Sequence, residues 1–158
     1  MYGPHGTWFG GREKAPAALC RKVIEAKDSG QLKIEIWGDG AQTRSFMYID
    51  DCLLGIDLII HCKKLVATPL NLGSSELVSI DALVSIIEDI AGVKLARQYN
   101  LEAPRGVAGR NSDNTFIQSA LGWQPHTSLR HGLAKTYAWI EEQHTLRKAG
   151  RRVVTDKM

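Results

Sequence analysis

No stretch of this 158-residue chain stays apolar for anything near the roughly 20 residues that a membrane-crossing helix needs. The opening residues, Met1-Tyr2-Gly3-Pro4-His5-Gly6, have neither the basic start nor the apolar run of a secretory signal. The expectation is a cytoplasmic protein with no membrane contact. Cysteine is scarce: Cys20, Cys52 and Cys62 make no Cys-x-x-Cys pair, and their odd number leaves one thiol over in any disulfide scheme. They read as reduced, mostly buried small hydrophobes. Histidines 5, 61, 126, 131 and 144 are scattered, and no His/Cys/carboxylate set has metal-ligand spacing, which argues against a metal site. Internal repeats and low-complexity linkers are missing too. Excess charge is small, a net +3, and part of it lies in Arg147, Lys148, Arg151, Arg152 and Lys157. A solvated, disordered basic tail over 147–158 explains that cluster without invoking nucleic acid.

What the chain does have is one domain's worth of core, with 44% hydrophobic and 23% charged residues. Glycines 3, 6, 10 and 11 with Pro4 make a loop-like start. A helix then begins near Pro16, carries an apolar stripe of Leu19, Cys20, Val23 and Ile24, and ends at Asp28-Ser29-Gly30. Leu32, Ile34 and Ile36 alternate with Lys33 and Glu35 as in a strand, and Gly38-Asp39-Gly40 is a turn. A second extended stretch spans Thr43 to Ile49, with Asp50 or Asp51 as cap for the helix after it. That helix, about Cys52 to Lys63, is apolar around most of its circumference and expects cover on more than one side. A short buried strand is expected at 69–73. After it come a helix capped by Ser79 and stopped by Gly92, a strand at 95–99, a helix ended by Gly122, and a long helix from about Leu129 to His144. The class is α/β or α+β.

Three polar segments stand out from this scaffold. In Gly10-Gly11-Arg12-Glu13-Lys14-Ala15-Pro16 a glycine pair delivers Glu13 and Lys14 to a helix N-terminus, whose free N–H groups attract anions. Lys14 there can donate a proton, meet a phosphate or simply stand in solvent. In Trp37-Gly38-Asp39-Gly40-Ala41-Gln42-Thr43-Arg44-Ser45-Phe46 an arginine projects from an extended segment, suited to clamping phosphate or to facing water. In Gly106-Val107-Ala108-Gly109-Arg110-Asn111-Ser112-Asp113-Asn114, Asp113 or Asn114 serves to cap the next helix and Arg110 is left for ligand work.

Together with Tyr2-Gly3-Pro4, Gly6-Thr7-Trp8, Ile49-Asp50, Leu70-Asn71-Leu72-Gly73-Ser74 and Leu121-Gly122-Trp123, these segments occur in an order that resembles the C-terminal half of the GDP-mannose 3,5-epimerases. Those are extended short-chain dehydrogenases/reductases of the NAD-dependent epimerase/dehydratase kind. Gly-Gly-Arg-Glu-Lys-Ala-Pro and Gly-Arg-Asn-Ser-Asp-Asn are the narrower signals. The resemblance implies the substrate-binding part, 1–146, of a Rossmann-type epimerase that lacks its dinucleotide-binding half. It implies a reaction in which bound NAD oxidises the sugar at C4, protons are exchanged at C3 and C5 by a cysteine and a lysine, and the ketone is reduced again. Lys14 falls on that catalytic lysine, and Glu13 and Ala15 fall on substrate-contacting positions. Lys22 matches a GDP-contacting position, Gln42, Thr43 and Arg44 a nucleotide-binding segment, and Arg110 a diphosphate-contacting arginine.

The departures carry expectations too. The glycine-rich dinucleotide motif, the Tyr-x-x-x-Lys pair and the acid/base cysteine belong upstream of Tyr2, and Cys20, Cys52 and Cys62 do not match that cysteine. Phe9 and Ala108 stand where plant-like relatives tend to carry basic residues. The chain is therefore expected to bind a GDP-mannose-type sugar nucleotide, to bind no NAD alone and to be inactive alone. Its partner would be a missing N-terminal half or further copies of itself. The alternatives are a truncated nucleotide-binding or scaffold module without catalysis, and a 4,6-dehydratase or decarboxylase relative.

Overall fold

A computed structural model describes residues 1–104, 106 and 108–153. Helix α1 (Ala15–Ser29) leads to β1 (Lys33–Trp37), β2 (Thr43–Ser45) and α2 (Ile49–His61). A single 3-10 turn (Lys63–Leu65) precedes β3 (Leu77–Ser79), α3 (Ile80–Ala91), β4 (Ala96–Asn100), β5 (Gly109–Arg110), α4 (Thr115–Leu121) and α5 (Leu129–Lys148). The class is the mixed α/β expected. Among the described residues no helix is long and apolar enough to cross a membrane, and no three His, Cys, Asp or Glu side chains gather as metal ligands would.

The core lies where α1, α3 and α5 pack on one another. Their apolar stripes supply Val23, Leu83, Val84, Ile87, Leu133 and Ile140, none more than 1% exposed. Strand β1 closes one side with Ile34 and Ile36 inward and Lys33, Glu35 and Trp37 outward. It pairs in parallel with β4, the crossover running through β2, α2, β3 and α3. The second sheet has β2 in the middle, antiparallel to β3 and parallel to β5. Tyr2, bridged to Tyr48, donates its hydroxyl to the Leu129 carbonyl at 3.2 Å and so ties the N-terminal loop to α5.

Several sequence expectations are corrected. Helix α2 starts at Ile49, so Asp50 and Asp51 sit in its first turn instead of capping it. Asp51 is buried and accepts the N–H groups of His126 and Thr127. Residues 69–73 form no strand; among the described residues no strand lies alongside to complete a ladder, and apolar content alone makes none. Leu32 lies outside β1 at φ 46° and is exposed, because its carbonyl turns to accept the Ala96 N–H. Asp113 accepts the Thr115 N–H ahead of α4, while Asn114 reaches back to the Gly73 carbonyl. The expected tail from 147 is crossed by α5, which continues to Lys148. Lys148 binds Asp28 at 2.6 Å, and Val153 is buried. Val107 and residues 154–158, with Lys157, lie outside the described residues.

Helix α2 remains under-covered, in line with its composition. Only Asp51, Cys52 and Gly55 are buried. Gly55 lets Trp123 and Leu72 lie against the backbone, where a Cβ would stand 2.6 Å from Leu72 and 2.9 Å from Trp123. On other faces Leu53 is 59% exposed and Ile60 73%. Burying such side chains is worth roughly 1.5–3 kcal/mol each, so the isolated chain is expected to self-associate. Sedimentation velocity should show species heavier than the 17.5 kDa chain. A Leu53→Lys/Ile60→Glu pair should restore monomer with unchanged helical circular dichroism. At α5, a Cβ on Gly132 would overlap the Tyr2 hydroxyl, so Gly132→Ala should cost about 1–3 kcal/mol in urea unfolding.

Candidate functional site

A cavity of about 1030 Å3 opens between the glycine loop, the first half of α1 and the middle of the second sheet. It is at the upper end of the range for small-molecule sites. Its walls include Lys14, Lys22, Gln42, Arg44 and Arg110, which come from segments far apart in sequence. Glu13 and Ala15 line it as well. Thr43, the remaining candidate, is not on the wall. It points the opposite way to Arg44 along β2, its hydroxyl facing Gly109 and its N–H bonded to the Ala108 carbonyl at 2.9 Å.

The two arginines owe their position to sheet register. Arg44 on β2 is directly paired with Arg110 on the parallel strand β5, and partnered residues of neighbouring strands share a face. The Arg44 guanidinium donates to the Thr43 carbonyl at 2.6 Å. No carboxylate pairs with Arg110 among the described residues. Two like charges on adjacent strands repel, and an anion between them would relieve the repulsion. A smaller hollow of about 250 Å3, with Asn71 and Ser112 in its wall, is also lined by Arg44 and Arg110.

The loop ahead of α1 is built as a brace. Trp8 is fully buried, edge-on to Phe9 with ring centres 4.8 Å apart, and holds the loop on the core. Gly10 and Gly11 adopt φ of 94° and 85°, open to glycine and strained for other residues. Arg21, two turns inside α1, reaches back to Glu13 at 2.9 Å, to Glu25 at 2.8 Å and to the Trp8 carbonyl at 3.2 Å. The second oxygen of Glu13 accepts the Gly11 N–H at 2.7 Å. Both carboxylate oxygens of Glu13 are thus occupied, and only 6% of its side chain is exposed. Burial pushes the Glu13 carboxyl up, but its own backbone N–H, Arg21 and the Gly11 N–H outweigh that and hold it below the usual range. Lys14 occupies the N-cap of α1, exposed, with no side-chain partner among the described residues.

Further along α1, Lys22 donates to the Glu35 carbonyl at 3.0 Å and to its carboxylate at 3.2 Å, and lies 5.8 Å from the centre of the Trp37 ring. Glu35 also accepts from Asn100 at 3.0 Å and from the Trp37 indole at 3.2 Å. Asn100, Lys22 and Trp37 together keep its carboxyl below the ordinary range. Gln42 donates to the Trp37 carbonyl at 2.7 Å while its buried Oε1 has no partner among the described residues, an acceptor left for a ligand.

Residues 1–73 match the NAD dependent epimerase/dehydratase family. Over 149 residues the chain is 46% identical to the GDP-mannose 3,5-epimerase of Arabidopsis thaliana, an alignment covering 94% of this chain and 38% of that one. The chain is similar to the C-terminal part of the GDP-mannose 3,5-epimerases. GDP-mannose 3,5-epimerase 1 of Oryza sativa subsp. japonica is 48% identical over 143 residues, 90% of this chain and 36% of that one. Among solved structures, UDP-glucuronic acid 4-epimerase from Bacillus cereus, in complex with UDP-glucuronic acid and NAD, superposes with a TM-score of 0.77 at 30% identity. That match covers 89% of this chain and 42% of that one. The chain spans under half the length of each of these relatives.

The cavity also holds residues that the sequence alone does not single out. Arg21, Glu25 and Glu35 line it, as does Arg147, whose guanidinium lies 4.1 Å from the Phe9 ring centre. Arg21 and Glu25 stand four apart on α1, a spacing that announces an ion pair. The reach from Arg21 back to Glu13 crosses a loop and leaves no local signal. Because the folded Glu13 carboxyl titrates below its unfolded value, its contribution to stability is complete above about pH 4.5. It is lost as the pH falls through the lower folded value. Thermal melts should therefore lose stability below about pH 4.5. Glu13→Gln should cost about 1–3 kcal/mol at pH 7 and flatten the acid limb.

Proposed function

We propose that the cavity binds the diphosphate of a GDP-mannose-type sugar nucleotide, as the substrate side of an NAD-dependent, GDP-mannose 3,5-epimerase-like enzyme. The observation that carries this reading is the meeting of Lys14, Lys22, Arg44 and Arg110 on one wall system of about 1030 Å3. Arg44 and Arg110 would clamp the diphosphate, each fork offering paired N–H donors, and Lys22 would add a third positive charge. The unpartnered Gln42 Oε1 suits a hydroxyl of ligand. Thr43, off the wall, would act through the β2–β5 ladder that carries the arginines, and Glu13 and Ala15 by shaping the wall beside Lys14.

Lys14 is the proton-bearing group. An ammonium at a helix N-cap, lining the cavity and paired with no carboxylate among the described residues, can hold a proton at Nζ and deliver it to carbon on that face. Its counterpart is not a cysteine of this chain. Cys20 is buried and its thiol is pushed up to about 12 by that burial, while Cys52 and Cys62 are absent from the cavity wall.

The residues of this chain do not fit a dinucleotide. Strand β1 does end on Gly38-Asp39-Gly40, but the chain then runs into β2 and not into a helix whose N-terminus would receive a pyrophosphate. Gly10 and Gly11 do precede a helix, yet residues 3–14 contain no strand leading into them. No redox step is assigned to this chain, and by itself it is expected to turn nothing over. A partner bearing the dinucleotide half, or a homo-oligomer, would complete the site. The same observation favours a second reading, a stand-alone nucleotide-binding module without catalysis.

Titration calorimetry with GDP-mannose should give micromolar binding, and Arg44→Ala or Arg110→Ala should weaken it about ten- to a hundredfold, the loss of charge-assisted bonds worth roughly 1.5–3 kcal/mol. No heat at millimolar ligand would overturn the reading. Incubation with GDP-mannose and NAD should yield no epimer; turnover by the chain alone would overturn its proposed dependence on a partner.

A further inference from the structure

Glu35 is out of place in a cavity whose other charged walls are mostly cationic. Its carboxylate stands on the outward face of β1, 47% exposed, beside the half-exposed ring of Trp37 on the same face. Both line the cavity. A carboxylate there repels a diphosphate, so its position calls for a ligand group that donates hydrogen bonds. We infer that Glu35 reads the base of the bound nucleotide and selects guanine; this rests on the cavity being a nucleoside-diphosphate site.

The chemistry is one of matching edges. An ionised carboxylate only accepts, through two oxygens with about four lone-pair sites between them. Guanine presents two adjacent parallel donors, N1–H and the 2-amino group, that fit such a fork. Uracil presents a single N3–H between two carbonyls, which the carboxylate repels. In the ligand-free protein Oε1 takes Asn100 and keeps one site open, while Oε2 takes Trp37 and Lys22. Lys22, drawn to the diphosphate, vacates its site on Oε2, and the second guanine donor takes its place. The intramolecular Lys22–Glu35 pair is exchanged for two pairs with one ligand, and no proton moves. The indole N–H stays on Glu35, which fixes the Trp37 ring as a flat apolar neighbour for a purine.

The test is calorimetry of the chain with GDP, IDP, UDP and pyrophosphate. IDP keeps N1–H and lacks the 2-amino group, so wild type should bind GDP roughly tenfold or more tightly than either IDP or UDP. Glu35→Gln should bring GDP to within about threefold of UDP. That variant also frees Lys22, which acts on every phosphate ligand alike, so its pyrophosphate affinity should hold or rise while the base preference is lost. Equal wild-type affinities for GDP and IDP, or an unchanged GDP/UDP ratio in Glu35→Gln, would overturn the inference and leave the diphosphate site standing. Failure of all three nucleotides and pyrophosphate to bind would overturn both. The IDP comparison needs no variant, so misfolding of Glu35→Gln does not blunt the test.

Discussion

The site depends on a single ladder, the parallel pairing of β2 with the two residues of β5. That pairing sets Arg110 level with Arg44, and no other element carries either guanidinium to the cavity. The arrangement costs energy in the ligand-free protein, since two positive groups share one face and no carboxylate among the described residues pairs with Arg110. It is retained because β2 is held from its other side by β3 and from beyond its end by the Ser79 cap of α3, whose hydroxyl accepts the Ala82 N–H. The strain of like charges is thus carried by packing at the rim of the core, and a bound anion would remove it.

Helix α1 serves two masters. Its buried stripe is central to the core, while its first two turns form one wall of the cavity. Pro16 and the glycine pair before it set where the helix can begin, and Arg21 fixes the incoming loop by two bonds, to Glu13 and to the Trp8 carbonyl. A change in core packing along α1 therefore moves Lys14 and Lys22 together. Helix α2 is the contrasting case, with one face closed by Gly55 against Trp123 while Leu53, Leu54, Ile56 and Ile60 stand exposed.

Much of the helical scaffold was legible because its helices bring local evidence: periodic stripes on α1 and α3, the Ser79 cap of α3, and glycines at 30, 92 and 122 where α1, α3 and α4 end. The short strands were not, because β3 and β5 exist through pairing with β2, a contact between residues tens of positions apart that leaves little local trace. For the same reason the apolar run at 69–73 read as a strand and is not one. At the site, the chemistry-bearing residues could be picked out singly, but each remained compatible with a solvated surface. Their meeting rested on the family resemblance until the fold set all of them except Thr43 around one cavity. The Glu13–Arg21 brace and the Glu35 cluster were invisible, since each joins a loop or strand to a helix through side chains of ordinary surface type.

The adjacent guanidiniums bear on how such a chain behaves outside any reaction. A cleft that gathers positive charge will collect whatever multivalent oxyanion its surroundings supply, and whatever binds only the folded form raises the melting temperature. Phosphate- or sulfate-containing buffers would steady this fold and at the same time mask its affinity for nucleotides, so storage and assay conditions pull in opposite directions.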